Sequence, residues 1–273
     1  MVINLDGGGG ALQDGKRRFM QLGTSEKNYV TFTFETTSPG GHGSLPGPNN
    51  PIYRLASALG RVEVTRFPVM LTATTREFFT RRAAFESGTR ADDMRAVGQQ
   101  VPDAAAAERL STNVGLNAQL RTTCVATLIS GGHAENALPQ RTRATMQCRM
   151  MPGDTADNVL ALLTSAVQDP RVHITRDAAP IISPESPPTP QIVGMLTTLT
   201  YTMWPGVPVI PTMATGFSDD RQTRNVGMPS YDISGLWMDG DENRAHGRDE
   251  RIPVQAFDES VEFTYRLLKT VAK

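Results

Sequence analysis

Residues 29–35 read YVTFTFE, and this stretch begins the pattern that decides the fold. Its side chains alternate between an apolar face, formed by Val30, Phe32 and Phe34, and a more polar face, which predicts a half-buried strand. The next periodic segment, residues 52–59, places apolar residues at the i, i+3, i+4, i+7 spacing of one helical face. The chain therefore starts this region with a strand followed by an amphipathic helix.

The same pattern resumes after residues 61–119, an irregular and charged stretch that we predict to be an insertion with helical pieces. RTTCVATLIS at 121–130 predicts a second strand, and 137–150 predicts a third that returns beside it after the turn GGHAEN. A helix follows Pro152-Gly153, capped by Asp154 or Thr155, and VHITR at 172–176 predicts a fourth strand. The order strand-helix-strand-strand-helix-strand indicates a ferredoxin-like βαββαβ domain over 27–180.

A second pattern begins beyond a proline-rich linker at 184–190. Here a helix near 190–202, a buried strand VPVIP at 207–211 and a C-terminal helix indicate an α/β domain. The C-terminal helix carries one apolar face, formed by Val254, Phe257, Val261, Tyr265 and Leu268. We therefore divide the chain into 1–26 and 181–273, two pieces of an α/β domain, and 27–180, the domain inserted between them.

The composition of the chain indicates which binding partners and which cellular compartment to expect. A net charge of -1 gives no reason to expect a nucleic acid or an acidic membrane surface, and no apolar run approaches the ~20 residues of a membrane span. Cys124 and Cys148 lack the spacing of a zinc knuckle, so we predict two free, buried thiols in a reducing compartment. The N-terminus lacks the features of a secretory signal. Localisation stays unknown on this basis, with the cytoplasm favoured.

The glycine run Gly7–Gly10 opens a segment, GALQDGKR at 10–17, that has the GxxxxGK spacing of a phosphate loop. Arg17 stands where that loop needs Ser or Thr for magnesium, and Asp14 would repel phosphate. We predict a flexible turn instead. No GxSxG elbow or HExxH motif is present in the sequence, so neither a serine hydrolase nor a zincin is indicated.

The chain has only four histidines, and two of them sit in contexts that suggest chemistry. His173 alternates along a strand and His133 lies in a polar turn, so we interpret them as structural and solvated. His42 lies in SPGGHGSLP, where glycines allow close approach of the backbone to another surface. His246 lies in a charged loop, and composition leaves a solvated residue and a metal ligand equally open.

Four segments in this order resemble one family of enzymes. They are NLDGGGG with SEKNYVTFTFETTSPGGHGSLP, then GGHAENALPQRTRATMQCRMMPGDT, TGFSDDRQTRNVGMPSYDISGL and AHGRDERIPVQAFDESVEF. Together they resemble the di-zinc metallopeptidases that include glutamate carboxypeptidase, acetylornithine deacetylase, succinyl-diaminopimelate desuccinylase and aminoacylase. The resemblance implies an α/β fold in which a ferredoxin-like lid, used for dimerisation, is inserted into a zinc-peptidase-like catalytic domain that is incomplete in this chain.

The resemblance implies a role for six residues of this sequence. His246 and Asp6 match two zinc ligands, and imidazole nitrogen and carboxylate oxygen both suit that metal. His42 matches a lid histidine that reaches the partner's active site in a homodimer and steadies the oxyanion of the tetrahedral intermediate. Three further matches concern the substrate: Asn136 and Arg149 would hold its carboxylate, and Gly216 would line its pocket. Alternatively, Arg149 faces outward from its strand and Asn136 caps the turn.

The family's other metal-binding residues have no match here. Its HxD histidine, the bridging aspartate and the Glu-Glu pair lie N-terminal to the acidic turn at Asp6, so we interpret Met1 as an internal methionine of a longer protein or a start created by truncation. We expect a hydrolase of peptide or N-acyl amide bonds that is inactive as this chain alone. The competing hypothesis is a non-catalytic dimerisation module, a degenerate relative. The presence of Asp6 and His246, which have no role in a lid, favours the hydrolase.

Overall fold

A computed structural model describes residues 1–216, 218–239, 244 and 247–272. It divides the chain into two compact units. The first unit contains Met1–Lys27, Leu71–Leu120 and Ser183–Lys273, and the second contains Asn28–Met70 and Arg121–Ile182.

The secondary structure of the described residues alternates between the two units along the chain. The strands are β1 (Val2–Asn4), β2 (Gly9–Gln13), β3 (Lys16–Glu26), β4 (Asn28–Thr37), β5 (Gly41–His42), β6 (Thr123–Gly131), β7 (Ala137–Leu138), β8 (Arg141–Met150), β9 (His173–Arg176), β10 (Val209–Ala214), β11 (Ser230–Asp232) and β12 (Trp237–Asp239). The helices are α1 (Pro51–Glu63), α2 (Ala73–Arg82), α3 (Gly88–Val97), α4 (Ala104–Leu110), α5 (Val114–Leu120), α6 (Ala156–Val167), α7 (Pro190–Met203), α8 (Asp220–Asn225) and α9 (Val254–Val271).

The second unit has the predicted ferredoxin-like arrangement. Its elements run β4-α1-β6-β8-α6-β9, and its four-stranded antiparallel sheet has the order β6-β8-β4-β9. The predicted apolar face of β4 is the buried one, since Phe32 and Phe34 are fully buried beside Leu55 of α1 and Leu163 of α6. The fold class predicted for the chain is therefore confirmed.

Most of the predicted insertion belongs to the first unit and not to the ferredoxin-like unit that surrounds it in the sequence. Residues Leu71–Leu120 fall in the first unit, so the ferredoxin-like unit is interrupted rather than continuous over 27–180. Helix α2 packs against β10, where the Arg81 guanidinium donates to the Val209 carbonyl at 3.1 Å. Gln119 at the end of α5 donates to the Met213 carbonyl at 2.9 Å. These helices thus help to build the α/β unit.

The first unit is built on a mixed sheet with the order β1-β11-β3-β2-β12, and β10 lies parallel to β3. Its main core contains side chains of β3 together with α7 and α9, and the Trp204 ring lies 5.1 Å from the ring of Trp237 and 5.6 Å from that of Phe263. Helix α9 buries Phe263 and Leu267 here. Its predicted apolar stripe lies on another side and is exposed, from 53% at Phe257 to 77% at Val254.

The glycine run is a site of close packing and not the flexible turn that the sequence predicted. Gly8 has φ +74°, and a Cβ there would lie 2.6 Å from the Asp232 carbonyl oxygen. A Cβ at Gly10 would overlap the ring of Trp237. Only glycine lets the chain pass this close to β11 and β12.

The two cysteines form a disulfide, so the prediction of two free thiols is wrong. The register of β6 against β8 places Cys124 directly opposite Cys148, and their Cα atoms are 4.1 Å apart. The alternation of apolar and polar residues predicted both strands. It did not predict which residues face each other, because the pairing register depends on contacts between residues that lie 24 positions apart.

Among the described residues, no helix is both long and apolar enough to cross a membrane.

Candidate active-site residues

An arm of the second unit brings His42 and Asn136 together. The ladder of β4 and β8 ends at the pair Thr37 and Arg141, and the short strands β5 and β7 continue it, with His42 opposite Ala137. The Gly43 amide donates to the Asn136 carbonyl at 2.7 Å. A Cβ at Gly43 would lie 2.8 Å from that same oxygen, so a glycine is needed for this approach. The arm thus joins two predicted site residues that are far apart in sequence.

The His42 ring is exposed and is held from one side by Ser44. Its Nδ1 atom lies 3.2 Å from the backbone nitrogen of Ser44 and 2.8 Å from its hydroxyl oxygen. The Leu45 amide donates to the His42 carbonyl at 3.0 Å and closes a tight turn after the ring. The histidine is therefore fixed at Nδ1, while Nε2 is on the other side of the ring.

Arg149 lies at the opposite end of β8 from the arm. It is half-buried and pairs with Tyr29 of β4, whose ring centroid is 4.9 Å from the guanidinium carbon. It lies eight positions after Arg141, the first residue of β8, which corresponds to about 26 Å along a strand. Asn136 lies beyond that end. The structure therefore does not bring Arg149 and Asn136 of one chain to the same small carboxylate.

The remaining predicted residues belong to the first unit or lie outside the described part of the chain. Asp6 is exposed in the turn after β1, where its amide donates to the Asn4 side-chain oxygen at 3.0 Å. Gly216 is exposed just after β10, and a Cβ there would meet no atom within 4 Å. His246 lies outside the described residues.

The described residues do not by themselves fit a zinc ion. The Asp6 carboxylate is a suitable oxygen donor, but within the described ranges no group of three or more histidine, cysteine, aspartate or glutamate side chains is placed to hold a metal. Zinc in proteins takes four ligands, three of them from the protein at a catalytic site. Of the two predicted zinc ligands, only Asp6 belongs to the residues that the structure describes.

The first unit also contains a buried charged cluster that was not predicted from the sequence. Arg224 of α8 is buried between Glu26 and Asp220, with nitrogen-to-oxygen distances of 3.5 Å and 3.2 Å. The Ser183 hydroxyl donates to Glu26 at 2.6 Å, and the carboxyl of Asp232 in β11 is buried close to the Asp220 carboxylate. The signal in the sequence was four ionisable residues within SDDRQTR, although the two partners at 26 and 232 are remote from it.

Asp232 gives this cluster a pH dependence. Burial raises the pKa of its carboxyl from 3.8 to about 8, and the Asp220 carboxylate adds to the rise while Arg224 opposes it. Between these two values the folded chain holds a proton that the unfolded chain has lost, so this group makes the free energy of unfolding fall as pH rises from about 4 to about 8.

We therefore expect Asp232→Asn to raise the thermal midpoint at pH 8.5 and to change it much less at pH 4, because the amide needs no proton to stay neutral. The measurement is thermal unfolding of the chain across this range, with the exposed Asp258→Asn as control. Parallel curves for wild type and Asp232→Asn would show that Asp232 does not titrate between pH 4 and pH 8.

Comparisons with known proteins identify the family. The model of the peptidase dimerisation domain of M20 peptidases matches residues 24–174. A probable carboxypeptidase S-like protein 2 from Dictyostelium discoideum is 26% identical over 256 residues, which are 92% of this chain and 48% of the relative. The human N-fatty-acyl-amino acid synthase/hydrolase PM20D1 is 26% identical over 98% of this chain and 55% of its own length.

Solved structures agree on the fold. The M20 family metallo-carboxypeptidase Sso-CP2 from Sulfolobus solfataricus has a TM-score of 0.61 at 17% identity, covering 96% of this chain and 62% of that one. The aminopeptidase PepT from Bacillus cereus has a TM-score of 0.56 at 12% identity, covering 99% and 57%. This chain spans about half the length of the curated relatives it matches. The family match covers more than half of the chain, which therefore belongs to the M20 peptidase dimerisation-domain family.

Proposed function

We propose that this chain is part of a metal-dependent hydrolase that cleaves peptide or N-acyl amide bonds in small substrates with a free carboxylate. The observation that carries the proposal is the arm, in which His42 pairs with Ala137 and the backbone of Asn136 is bonded to Gly43, on a unit of the M20 dimerisation fold. Two relatives that match almost the whole chain support it, since one is named a carboxypeptidase S-like protein and the other an N-fatty-acyl-amino acid synthase/hydrolase.

Zinc is the metal we propose, and when bound it would supply a water molecule activated for attack on the amide carbonyl. Asp6 and His246 would contribute ligands, together with the histidine, aspartate and glutamate that the resemblance places upstream. Two ligands cannot complete a di-zinc site, so we propose that the chain alone is inactive. His42 would donate a hydrogen bond to the oxyanion that forms on the substrate.

We propose that the substrate contacts are divided between two protomers, because Arg149 and the arm lie at opposite ends of β8. We propose that Arg149 pairs with the carboxylate of the substrate bound by its own chain, because a guanidinium binds both oxygens at once. Asn136 lies with His42 on the arm and would act together with it in the partner's active site. This assignment keeps both residues in substrate binding but places them on different chains.

The proposed dimer is a homodimer formed through the edge of the second unit's sheet. Strand β6 is an edge strand, and it exposes 56% of Val125, 68% of Leu128 and 69% of Ile129. An exposed apolar edge strand is a template for pairing with another strand, and pairing with its own copy gives a closed, symmetric contact. Neither nucleic acid nor membrane has a place in this proposal.

A second candidate is a non-catalytic dimerisation module. The family match favours it, because that match covers the dimerisation domain at residues 24–174. Asp6 and His246 favour the hydrolase, because a module that only dimerises has no use for zinc ligands. The two candidates are distinguished with a complete protein, in which the upstream half of a curated relative is joined to this chain. Folded complete protein without zinc-dependent hydrolysis of any N-acyl amino acid or dipeptide would support the module.

In that complete protein, Arg149→Ala is expected to raise KM for an N-acyl amino acid by roughly ten- to a hundredfold, because it removes a charged pair of hydrogen bonds to the substrate. The corresponding amide, which lacks the carboxylate, should be affected little. Arg143→Ala is the control, since Arg143 lies on the same strand but pairs with Glu35. Steady-state kinetics with the acid and amide substrates provide the measurement. An equal loss for both substrates would make Arg149 a structural residue.

A further inference from the structure

The contacts of the His42 ring fix the position of its proton. A backbone amide can only donate a hydrogen bond, so the contact of 3.2 Å from the Ser44 nitrogen makes Nδ1 an acceptor. An accepting Nδ1 carries no proton, and the proton of the neutral ring must then lie on Nε2. The Ser44 hydroxyl oxygen lies 2.8 Å from the same Nδ1. Because Nδ1 carries no proton in this tautomer, the hydroxyl is the donor of that contact and shares the single lone pair with the amide.

The turn around the ring holds this contact in place. The Gly43 amide is tied to Asn136 across the arm at 2.7 Å, and the Leu45 amide returns to the His42 carbonyl at 3.0 Å. Ser44 lies between these two bonded amides, so its backbone nitrogen is held toward the ring. The ring itself is exposed, which leaves the Nε2 side accessible to another molecule.

We propose that Ser44 is a positioning residue that holds His42 in the Nε2–H tautomer. This inference rests on the proposed function, in which His42 must donate a hydrogen bond to the oxyanion. A histidine with its proton on Nδ1 would present a lone pair at Nε2 and would repel the developing negative charge. Ser44 excludes that tautomer before the substrate arrives and keeps the ring in one orientation, so no reorganisation is needed during the reaction.

The tautomer is measurable in this chain without catalysis. Long-range ¹H–¹⁵N spectra at a pH where the rings are neutral distinguish Nδ1–H from Nε2–H, and the four histidines are few enough to assign by substitution. His133, which is exposed in the described turn, serves as the internal reference for a solvated ring. We expect His42 to show a protonated Nε2 alone, whereas His133 shows a mixture. Equal tautomer ratios for the two rings would overturn the proposal.

Ser44→Ala removes the hydroxyl but keeps the backbone amide, so it is expected to move the His42 signals only part of the way toward those of His133. Ser44→Thr keeps a hydroxyl and should resemble wild type. In complete protein, Ser44→Ala should lower kcat about five- to tenfold with KM nearly unchanged, the effect of losing one hydrogen bond. Unchanged His42 spectra in folded Ser44→Ala would overturn the role of the hydroxyl. A tautomer shift in a chain whose complete form proves inactive would leave the Ser44 contact standing and reject the proposed hydrolase instead.

Discussion

Complete protein, formed by joining the upstream half of a curated relative to this chain, is expected to bind zinc and to lose it on His246→Ala. The chain alone should bind no zinc tightly and show no turnover, because Asp6 and His246 are only two of the ligands that a di-zinc site requires. The loss of activity on His246→Ala should exceed about a hundredfold, since even residues that only orient a metal ligand cost 10- to 100-fold. Zinc content per chain by elemental analysis and hydrolysis of N-acyl amino acids provide the measurements.

His133→Ala is the matched control, because it removes an exposed imidazole from a turn of the second unit. It should leave zinc content and turnover unchanged. Two outcomes would contradict the proposal. Zinc-dependent turnover by the chain alone, abolished in His246→Ala, would show that the upstream ligands are unnecessary. Retention of both zinc and activity by folded His246→Ala in complete protein would show that the C-terminal histidine is not a ligand.

Alternation along single segments predicted the second unit well, because an antiparallel sheet with one buried face repeats every two residues. Val30, Phe32 and Phe34 all face the core as expected. The helices of 71–120 did not follow such a rule. Phe78 and Phe79 of α2 are adjacent, both are buried and their rings are in contact, so this helix shows no simple apolar face in its sequence. Its place in the first unit depends on contacts with β10 that the sequence does not reveal.

Contacts between residues that lie far apart in the sequence could not be predicted from the sequence. The disulfide follows from the register of β6 and β8, and the Asp220–Asp232 contact joins a helix to a strand beneath the glycine run. Among the site residues, the resemblance suggested each role separately. It did not indicate that His42 and Asn136 share one arm or that Arg149 lies at the far end of β8. Those relations come from strand pairing over about a hundred residues.

Mixed dimers of two inactive variants of complete protein are expected to recover activity. His42→Ala should keep its zinc but lose turnover about a hundredfold, the cost of one oxyanion donor, and His246→Ala should lose its zinc. After mixing in equal amounts, half of the dimers are heterodimers, and in each of these one of two sites combines an intact metal site with a donated His42. Activity should therefore return to about a quarter of the wild-type value.

The arm makes this experiment discriminating, because the structure predicts which variants complement alike. Asn136→Ala mixed with His246→Ala should recover activity as His42→Ala does, since both residues lie on the arm that we propose to reach the partner. Arg149→Ala mixed with His246→Ala should not recover on substrates with a free carboxylate, because the only intact metal site would lie in the chain that lacks Arg149. Leu128→Lys in both chains provides the control for exchange: a charge on the exposed edge strand should prevent dimers and abolish every recovery. Recovery by the Arg149 pair, or failure of the Asn136 pair while the His42 pair succeeds, would contradict the division of contacts between the two protomers.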